Sequence, residues 1–398
     1  MKQNYSEKLD AFIAEEKAAT HLINSVGDLL YNKGIELVLF RRHLLDKNVS
    51  DILRFHQYAT NFVKKPISIF DSSNLAKILT KMDLAPAKID IGKLTYEYNF
   101  EKSKYSSQEE FLNEKIGFIK KSVDKTPQSK DVVLYGFGRI GRLCARELIK
   151  QAGKGQQLRL KGVILREINT KSLHKRCTLL RQDSVHGSFS SSIEINDQEL
   201  SIVINGQKIQ FFDEKTKYKL TESGIHDALL IDNTGIYKDY SGLKQHLKLE
   251  GITKVLLTAP GAGIPNIVYG VNQTNIDVDN DLIVSAASCT TNAIAPILKV
   301  INDYNLINKG HIETIHAYTN DQNLLDNMHS KSRRGRSAAI NMVITSTGAG
   351  KAVTKVIPGL ENKLTANAIR VPTPNGSLAI INLDLSKITF VEDRPGHD

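Results

Sequence analysis

From Leu9 onward the apolar positions Leu9, Phe12, Ile13, Leu22, Ile23, Val26, Leu29 and Leu30 recur at three- and four-residue spacing. That is the repeat of one helical face, and Gly34 closes the run. A second helical pattern starts near Ser50-Asp51, residue types that cap helices, and carries Ile52, Leu53 and Phe55. A third begins at Asp71-Ser72-Ser73. Ser107-x-x-Glu110 forms a capping box ahead of Phe111, Leu112, Ile116 and Ile119. Residues 1–125 therefore read as a mostly helical extension. His21, His43 and His56 stand isolated within it, and a lone histidine is far more often structural than a ligand, so no chemistry is assigned there.

The pattern changes after Thr126-Pro127-Gln128-Ser129-Lys130, which reads as a linker. Short apolar runs follow: Val132–Tyr135, Gly162–Leu165, Ala228–Ile231, Val255–Leu257 and Leu282–Val284. Such runs are buried parallel strands, and several intervals between them are long enough for crossover helices. The fold class expected is α/β, a Rossmann-type doubly wound parallel sheet.

Composition narrows the function classes. Apolar residues make up 41% and charged residues 24% of 398, ordinary for a soluble globular protein. No run approaches the roughly 18 apolar residues of a spanning helix, and the first residues lack the apolar core of a signal peptide. Three cysteines, Cys144, Cys177 and Cys289, are too few and scattered for a disulfide framework or a zinc ribbon. A cytoplasmic location without a membrane partner is the expectation. The net charge of +10 points to an anionic ligand. The basic residues are dispersed and no nucleic-acid motif is present, so solvated lysines and a few phosphate-binding arginines are expected, and no nucleic acid.

Directly after the first strand stands Gly136-Phe137-Gly138-Arg139-Ile140-Gly141, ahead of an amphipathic helix with Leu143, Ala145, Leu148 and Ile149. A bare G-x-G-x-x-G is weak, but strand before and helix after is the context that a dinucleotide loop requires. Gly136 allows the tight turn, Gly138 lets backbone approach a pyrophosphate, and Gly141 lets helix and strand close up. The helix N-terminus then meets the phosphates. The second strand ends at Arg166-Glu167. A carboxylate there accepts from the adenine ribose, whereas an arginine accommodates a 2′-phosphate. The reading is NAD through Glu167, with NADP the open alternative.

Ser285-Ala286-Ala287-Ser288-Cys289-Thr290-Thr291-Asn292 lies between the strand Leu282–Val284 and a helical pattern with Ile294, Ile297, Leu298 and Ile301. Cys289 therefore sits at a helix N-terminus, where a thiol of pKa ~8.5 is lowered, as it is beside an imidazole. His316 ends the next strand pattern, Ile312-Glu313-Thr314-Ile315. A lone cysteine is usually a small buried hydrophobe, the reading for Cys144 and Cys177. From spacing alone, a reactive and an inert Cys289 are equally supported.

Six segments occur in the order and approximate spacing of the glyceraldehyde-3-phosphate dehydrogenase family, and from about 131 to 385 the chain resembles it. They are Gly136–Arg142, Asp183–Gly187, Ser288–Asn292, His316–Thr319, Ser346–Ala349 and Arg370–Thr373. The resemblance implies phosphorylating oxidation of glyceraldehyde 3-phosphate to 1,3-bisphosphoglycerate, in glycolysis or gluconeogenesis, through a Cys289 thioester with His316 as base. It also implies a dinucleotide-binding domain over 131–288 and an α+β catalytic domain over 289–398. Thr319 and Arg370 would take the substrate's phosphate. Ser288, Thr290, Thr347 and Gly348 would take inorganic phosphate, and Arg334 would lie near both. Thr234, Gly235 and Thr258 match cofactor-contacting turns. His186 is given no catalytic role, and no metal is expected. The partners implied are glyceraldehyde 3-phosphate, inorganic phosphate and, where the fold is complete, further copies of the chain, the family being usually tetrameric.

The sequence departs from the family in the extension over 1–125, in Ala286 where an Asn is common, and at the C-terminus. The family pattern normally continues well past Arg370. Here only Leu378–Leu385 continues it, and Val391–Asp398 resembles a short segment of nucleotide-sugar dehydratases. A truncated, fused or frameshifted reading frame with an incomplete catalytic domain and impaired stability and activity is the expectation. Two other readings are erythrose-4-phosphate oxidation with hydrolysis of the acyl-enzyme, and a catalytically impaired cofactor-binding protein.

Overall fold

The computed structural model describes residues 5–119, 129–150, 158–216, 219–345 and 348–387. The chain divides into two compact units, Met1–Lys130 with Arg146–Leu160, and Asp131–Ala145 with Lys161–Asp398. Residues 126–128 of the expected linker lie outside the described residues, as does the segment Val391–Asp398.

The first unit opens with helix α1 (Tyr5–Lys33), followed by strands β1 (Glu36–Leu39) and β2 (Arg42–His43) and helices α2 (Val49–Asn61) and α3 (Ile69–Leu79). Strand β3 (Lys88–Asp90) and helices α4 (Ile91–Glu101) and α5 (Gln108–Ile116) complete it. The caps differ from expectation by a few residues. Asn48 caps α2 in a capping box with Asp51, and Ser68 caps α3. Ser107 caps α5 through the Glu110 N–H, but the Glu110 carboxylate turns to the Ser106 N–H and hydroxyl instead.

The three-stranded sheet, in the order β2-β1-β3, is an addition to the helical reading. Its strands are two to four residues long, too short to show a period of two. A two-residue turn, Phe40-Arg41, joins β1 to β2 with both residues in the left-handed region, at φ 44° and 70°. Asp90 holds this turn. Its Oδ1 accepts from Phe40 N at 2.9 Å and its Oδ2 from Arg41 N at 3.2 Å, while Oδ1 also caps α4 through Lys93 N at 3.1 Å. The core beneath joins Leu22, Val26 and Leu29 of α1 to Leu37, Leu39, Ile52, Leu75, Ile91 and Phe111.

From Lys130 the chain runs through β4 (Lys130–Tyr135), α6 (Arg139–Lys150), β5 (Leu158–Leu165) and α7 (Thr170–Arg181), the second unit holding these except Lys130 and residues 146–160. A small hairpin, β6 (Gln182–Asp183) and β7 (Gly187–Ser188), precedes β8 (Ile193–Asn196), β9 (Ser201–Ile204) and β10 (Gln207–Asp213). Then come β11 (Ala228–Asp232), α8 (Tyr240–Lys244), β12 (Ile252–Leu257) and β13 (Ile283–Ser285). These strands form one sheet ordered β13-β12-β11-β4-β5-β10-β9-β8. Strands β13, β12, β11 and β4 run parallel, and β10 runs parallel to β5. The five apolar runs read as strands are all there, and β9 and β8 extend the sheet antiparallel.

Helix α9 (Cys289–Tyr304) leads into a second sheet, made of β14 (Ile307–Ala317), β15 (Val343–Thr345), β16 (Leu364–Val371) and β17 (Ser377–Leu385), with α10 (Ala349–Val356) before β16. The order is β15-β16-β14-β17, with β16 parallel to β14 and the outer strands antiparallel. Ile294 and Leu298 of α9 pack with Ile307, Ile312, Val353 and Leu360.

Replacing Asp90 by Ala removes the acceptor of two turn N–H groups and one cap, and a lost cap alone costs about 1 kcal/mol. The expected result is a lower urea midpoint at an unchanged slope for unfolding of the first unit, followed by circular dichroism.

Candidate active site

The glycine loop is built by close approach. Gly136, at φ +90°, lies so near Thr234 that an added Cβ would stand 2.7 Å from its Cγ2. At Gly141 a Cβ would meet the Gly136 carbonyl oxygen at 2.4 Å. Gly138, by contrast, faces nothing within 4 Å, which leaves the space above the start of α6 open. The two roles read for Gly136 and Gly141, turn and close packing, are thus visible in the backbone.

Thr234 is held from below. Asp232, fully buried at the end of β11, accepts from Thr234 N at 2.8 Å and Thr234 Oγ1 at 2.7 Å. Its other oxygen is 3.0 Å from His246 Nε2, also buried. Thr258 joins the same point, since its N–H and hydroxyl both donate to the Asp232 carbonyl. Gly235 completes the turn in the left-handed region at φ 68°. The family resemblance pointed to Thr234, Gly235 and Thr258 but not to the His246–Asp232 pair beside them. The Asp232-x-Thr234 spacing, an Asx-turn signature, was the available signal.

Glu167 follows β5, exposed and paired with Lys215 Nζ at 2.8 Å. Arg139 stands 3.8 Å from Asp183. The Asp183 carboxylate also accepts from the N–H groups of His186 and Val185, which hold it well below the usual carboxylate range.

The chemical centre is made where β13 meets α9. Ala287 occupies the left-handed region at φ 57°, an uncommon state for a residue with a Cβ, and the chain turns there so that Ser288 begins the helix. Ser288 caps α9, its hydroxyl accepting from Thr291 N at 3.0 Å. Ala286, the departure noted above, gives its carbonyl to Asn292 Nδ2 at 2.7 Å. Cys289 is consequently the first helical residue, exposed, with Thr290 Oγ1 3.9 Å from its sulfur.

His316, on β14, brings Nε2 to 3.6 Å from Cys289 Sγ. That contact lowers the thiol to about 7 and raises the imidazole. Each stabilises the charged form of the other. Burial does the opposite at Cys177, which is pushed up to about 11, in line with its reading as an inert core residue.

Cys289, Thr290, His316 and Thr319 line one cavity of about 390 Å³ together with Arg139, Ile140 and His186. The glycine-loop helix and the thiol therefore face the same space. Arg370, half-buried beside it, donates to His316 Nδ1 and to the Ala317 carbonyl. Arg334 is engaged by Asp321 and by Thr345 Oγ1. Gly348 stands at the start of α10, whereas Thr347 lies outside the described residues. Among the described residues no group of three or more His, Cys, Asp or Glu side chains could hold a metal, and no helix is long and apolar enough to cross a membrane.

A dinucleotide-type loop opening onto a cysteine–histidine pair defines an oxidoreductase with a nicotinamide cofactor. Two family models match: "Glyceraldehyde 3-phosphate dehydrogenase, NAD binding domain" over residues 130–240, and "Glyceraldehyde 3-phosphate dehydrogenase, C-terminal domain" over residues 288–394. The second reaches into the segment whose sequence resembles nucleotide-sugar dehydratases. A "Glyceraldehyde-3-phosphate dehydrogenase-like protein" of Pseudomonas aeruginosa (strain UCBPP-PA14) is 45% identical over 379 residues, covering 94% of this chain and 82% of that protein. That coverage takes in most of the N-terminal unit. The glyceraldehyde-3-phosphate dehydrogenase of Clostridium pasteurianum is 38% identical over 265 residues, 66% of this chain and 76% of its own length. Glyceraldehyde-3-phosphate dehydrogenase 2 of Synechocystis sp. is 40% identical over 268 residues, with shares of 67% and 77%. The chain belongs to the glyceraldehyde-3-phosphate dehydrogenase family.

Two measurements probe this geometry. With the thiol at about 7, the thiolate fraction and the rate of iodoacetamide alkylation rise through neutral pH. In His316→Asn the midpoint moves up towards the free-thiol value of about 8.5. Asp232→Ala frees Thr234 and is expected to raise the KM for the nicotinamide cofactor severalfold while changing kcat little, as steady-state kinetics would show.

Proposed function

We propose that the chain oxidises glyceraldehyde 3-phosphate with NAD and inorganic phosphate to 1,3-bisphosphoglycerate, as a cytoplasmic enzyme assembled from copies of itself. The observation that carries this reading is the 3.6 Å contact between Cys289 Sγ and His316 Nε2 within the cavity that Arg139 and Ile140 also line.

The residues present fit the cofactor. Open space at Gly138 and the unpaired N–H groups that a helix start offers suit a pyrophosphate, and Glu167 suits a ribose diol. Bound nicotinamide supplies the hydride acceptor. The protein supplies the rest. The Cys289 thiolate attacks the aldehyde carbon, and the first N–H groups of α9 with His316 Nε2–H offer donors to the developing oxyanion. Nε2 gives its proton to that oxygen to make the hydroxyl of a thiohemiacetal, then takes it back as the carbonyl re-forms and hydride leaves, so that a thioester remains on Cys289. Phosphate oxygen then attacks that carbon, the C–S bond breaks, and the thiolate returns. The thioester retains the free energy of oxidation in the acyl phosphate product.

Arg370 and Thr319 are the groups assigned to the substrate's phosphate, Arg through charge-assisted hydrogen bonds. Ser288, Thr290, Thr347 and Gly348 are assigned to inorganic phosphate, with Arg334 near both. Hydrolysis of the acyl-enzyme, the erythrose-4-phosphate alternative, needs no phosphate. NADH formation from glyceraldehyde 3-phosphate is therefore expected to require added phosphate and to vanish in Cys289→Ser. Phosphate-independent turnover would overturn the phosphorylating assignment.

A further inference from the structure

His316 Nδ1 has two neighbours that make opposite demands. The Ala317 carbonyl oxygen lies 2.7 Å away and, being only an acceptor, needs a proton on Nδ1. Arg370 Nη1 lies 2.6 Å away on the other side and, being only a donor, needs a lone pair there. One nitrogen cannot meet both at once. Arg370 resolves the conflict by also donating to the Ala317 carbonyl at 2.8 Å, which satisfies that oxygen without a proton on the ring. Strand pairing enforces the arrangement, since Arg370 on β16 stands directly opposite His316 on β14.

We infer that Arg370 is a positioning residue that opposes a proton on His316 Nδ1 in the anion-free site, and that an anionic group drawing the guanidinium away eases protonation of Nδ1 and its bond to Ala317. The inference rests on the reading above in one respect, that the anion is the substrate's phosphate.

In the neutral ring with Arg370 in place, the one proton sits on Nε2, facing the Cys289 sulfur. A second proton would set imidazolium against guanidinium and break their hydrogen bond. With Arg370 withdrawn, Nδ1–H can donate to Ala317, and the doubly protonated ring that pairs with the thiolate is favoured further. The other groups around His316 do not supply the same control. Cys289 approaches from α9 on the Nε2 side. Strand β17 places uncharged Ser377 opposite it. Arg334 acts on Arg370, and Arg139 and His186 line the cavity further out. Cys289 and the Ala317 carbonyl favour protonation of His316 while burial and Arg370 oppose it, so withdrawing Arg370 removes one of the two opposing influences. The effect couples substrate recognition to the proton that the thiol chemistry uses.

The test follows His316 Nδ1 by nitrogen NMR on the full chain labelled with 15N-histidine, the resonance being identified by its loss in His316→Asn. Protonation of Nδ1 in Arg370→Leu is expected about one pH unit above that in the unsubstituted chain, the lower range for one neighbouring charge. Glycerol 3-phosphate, a phosphate monoester that cannot be oxidised at an aldehyde, should raise the midpoint of the unsubstituted chain and leave that of Arg370→Leu where it was. Equal midpoints in the two ligand-free proteins would overturn the inference. An equal rise with glycerol 3-phosphate in both would do so too, because the anion's own field would then suffice. Arg370→Gln serves if the leucine variant does not fold. NADH formation, measured separately, keeps the two readings apart. If oxidation persists while Nδ1 ignores Arg370, only this inference falls. If Nδ1 obeys Arg370 in a chain that does not oxidise glyceraldehyde 3-phosphate, only the substrate assignment does.

Discussion

The site depends on a thiol at the first turn of α9 reaching an imidazole near the end of strand β14. Neither residue is reactive by itself. The sulfur is made acidic by a ring 3.6 Å away, and the ring is made basic by the sulfur. Everything that fixes the two backbones, from the Ala287 turn to the β14–β16 ladder, therefore acts on the chemistry through that one separation.

The cofactor side has a comparable dependence, on a carboxylate. Asp232 is buried, yet both its oxygens are used, one by Thr234 and one by His246. Burying a carboxylate is costly unless it is hydrogen-bonded and paired, so the pair keeps the turn from relaxing. His246 comes from the segment after α8, which makes a side chain beneath the sheet a determinant of a loop above it.

Much of this was legible before any coordinates. Repeats of three and four residues found α1, and Ser107 marked α5, because long periodic faces and strong caps are local signals. The five parallel strands showed as apolar runs because both faces of such a sheet are covered. The glycine loop was marked by the strand before it and the helix after it, whereas Cys289 and His316 took their roles from the family resemblance, spacing alone leaving the thiol's reactivity open. What stayed hidden depended on partners distant in sequence. The β1–β3 pairing joins Glu36–Val38 to Lys88–Asp90, and neither segment is long enough to reveal itself. Caps slipped by two or three residues at α2 and α3, since several Ser, Asp and Asn near each start could serve. The contact of Arg370 with His316 is invisible in spacing, because strand register alone creates it.

That register has an evolutionary consequence. His316 stands opposite Arg370 on one neighbouring strand and Ser377 on the other, and side chains alternate faces along a strand. Insertion or deletion of a single residue within β14, β16 or β17 would send one partner to the far side of the sheet. Length variation is thus resisted in those ladders near His316, while the register shift at Ile307–Lys309 shows that the far end of β14 accommodates one. The long connection between β14 and β15 carries no such register restriction, and away from Thr319 and Arg334 it is where lineages can differ in length.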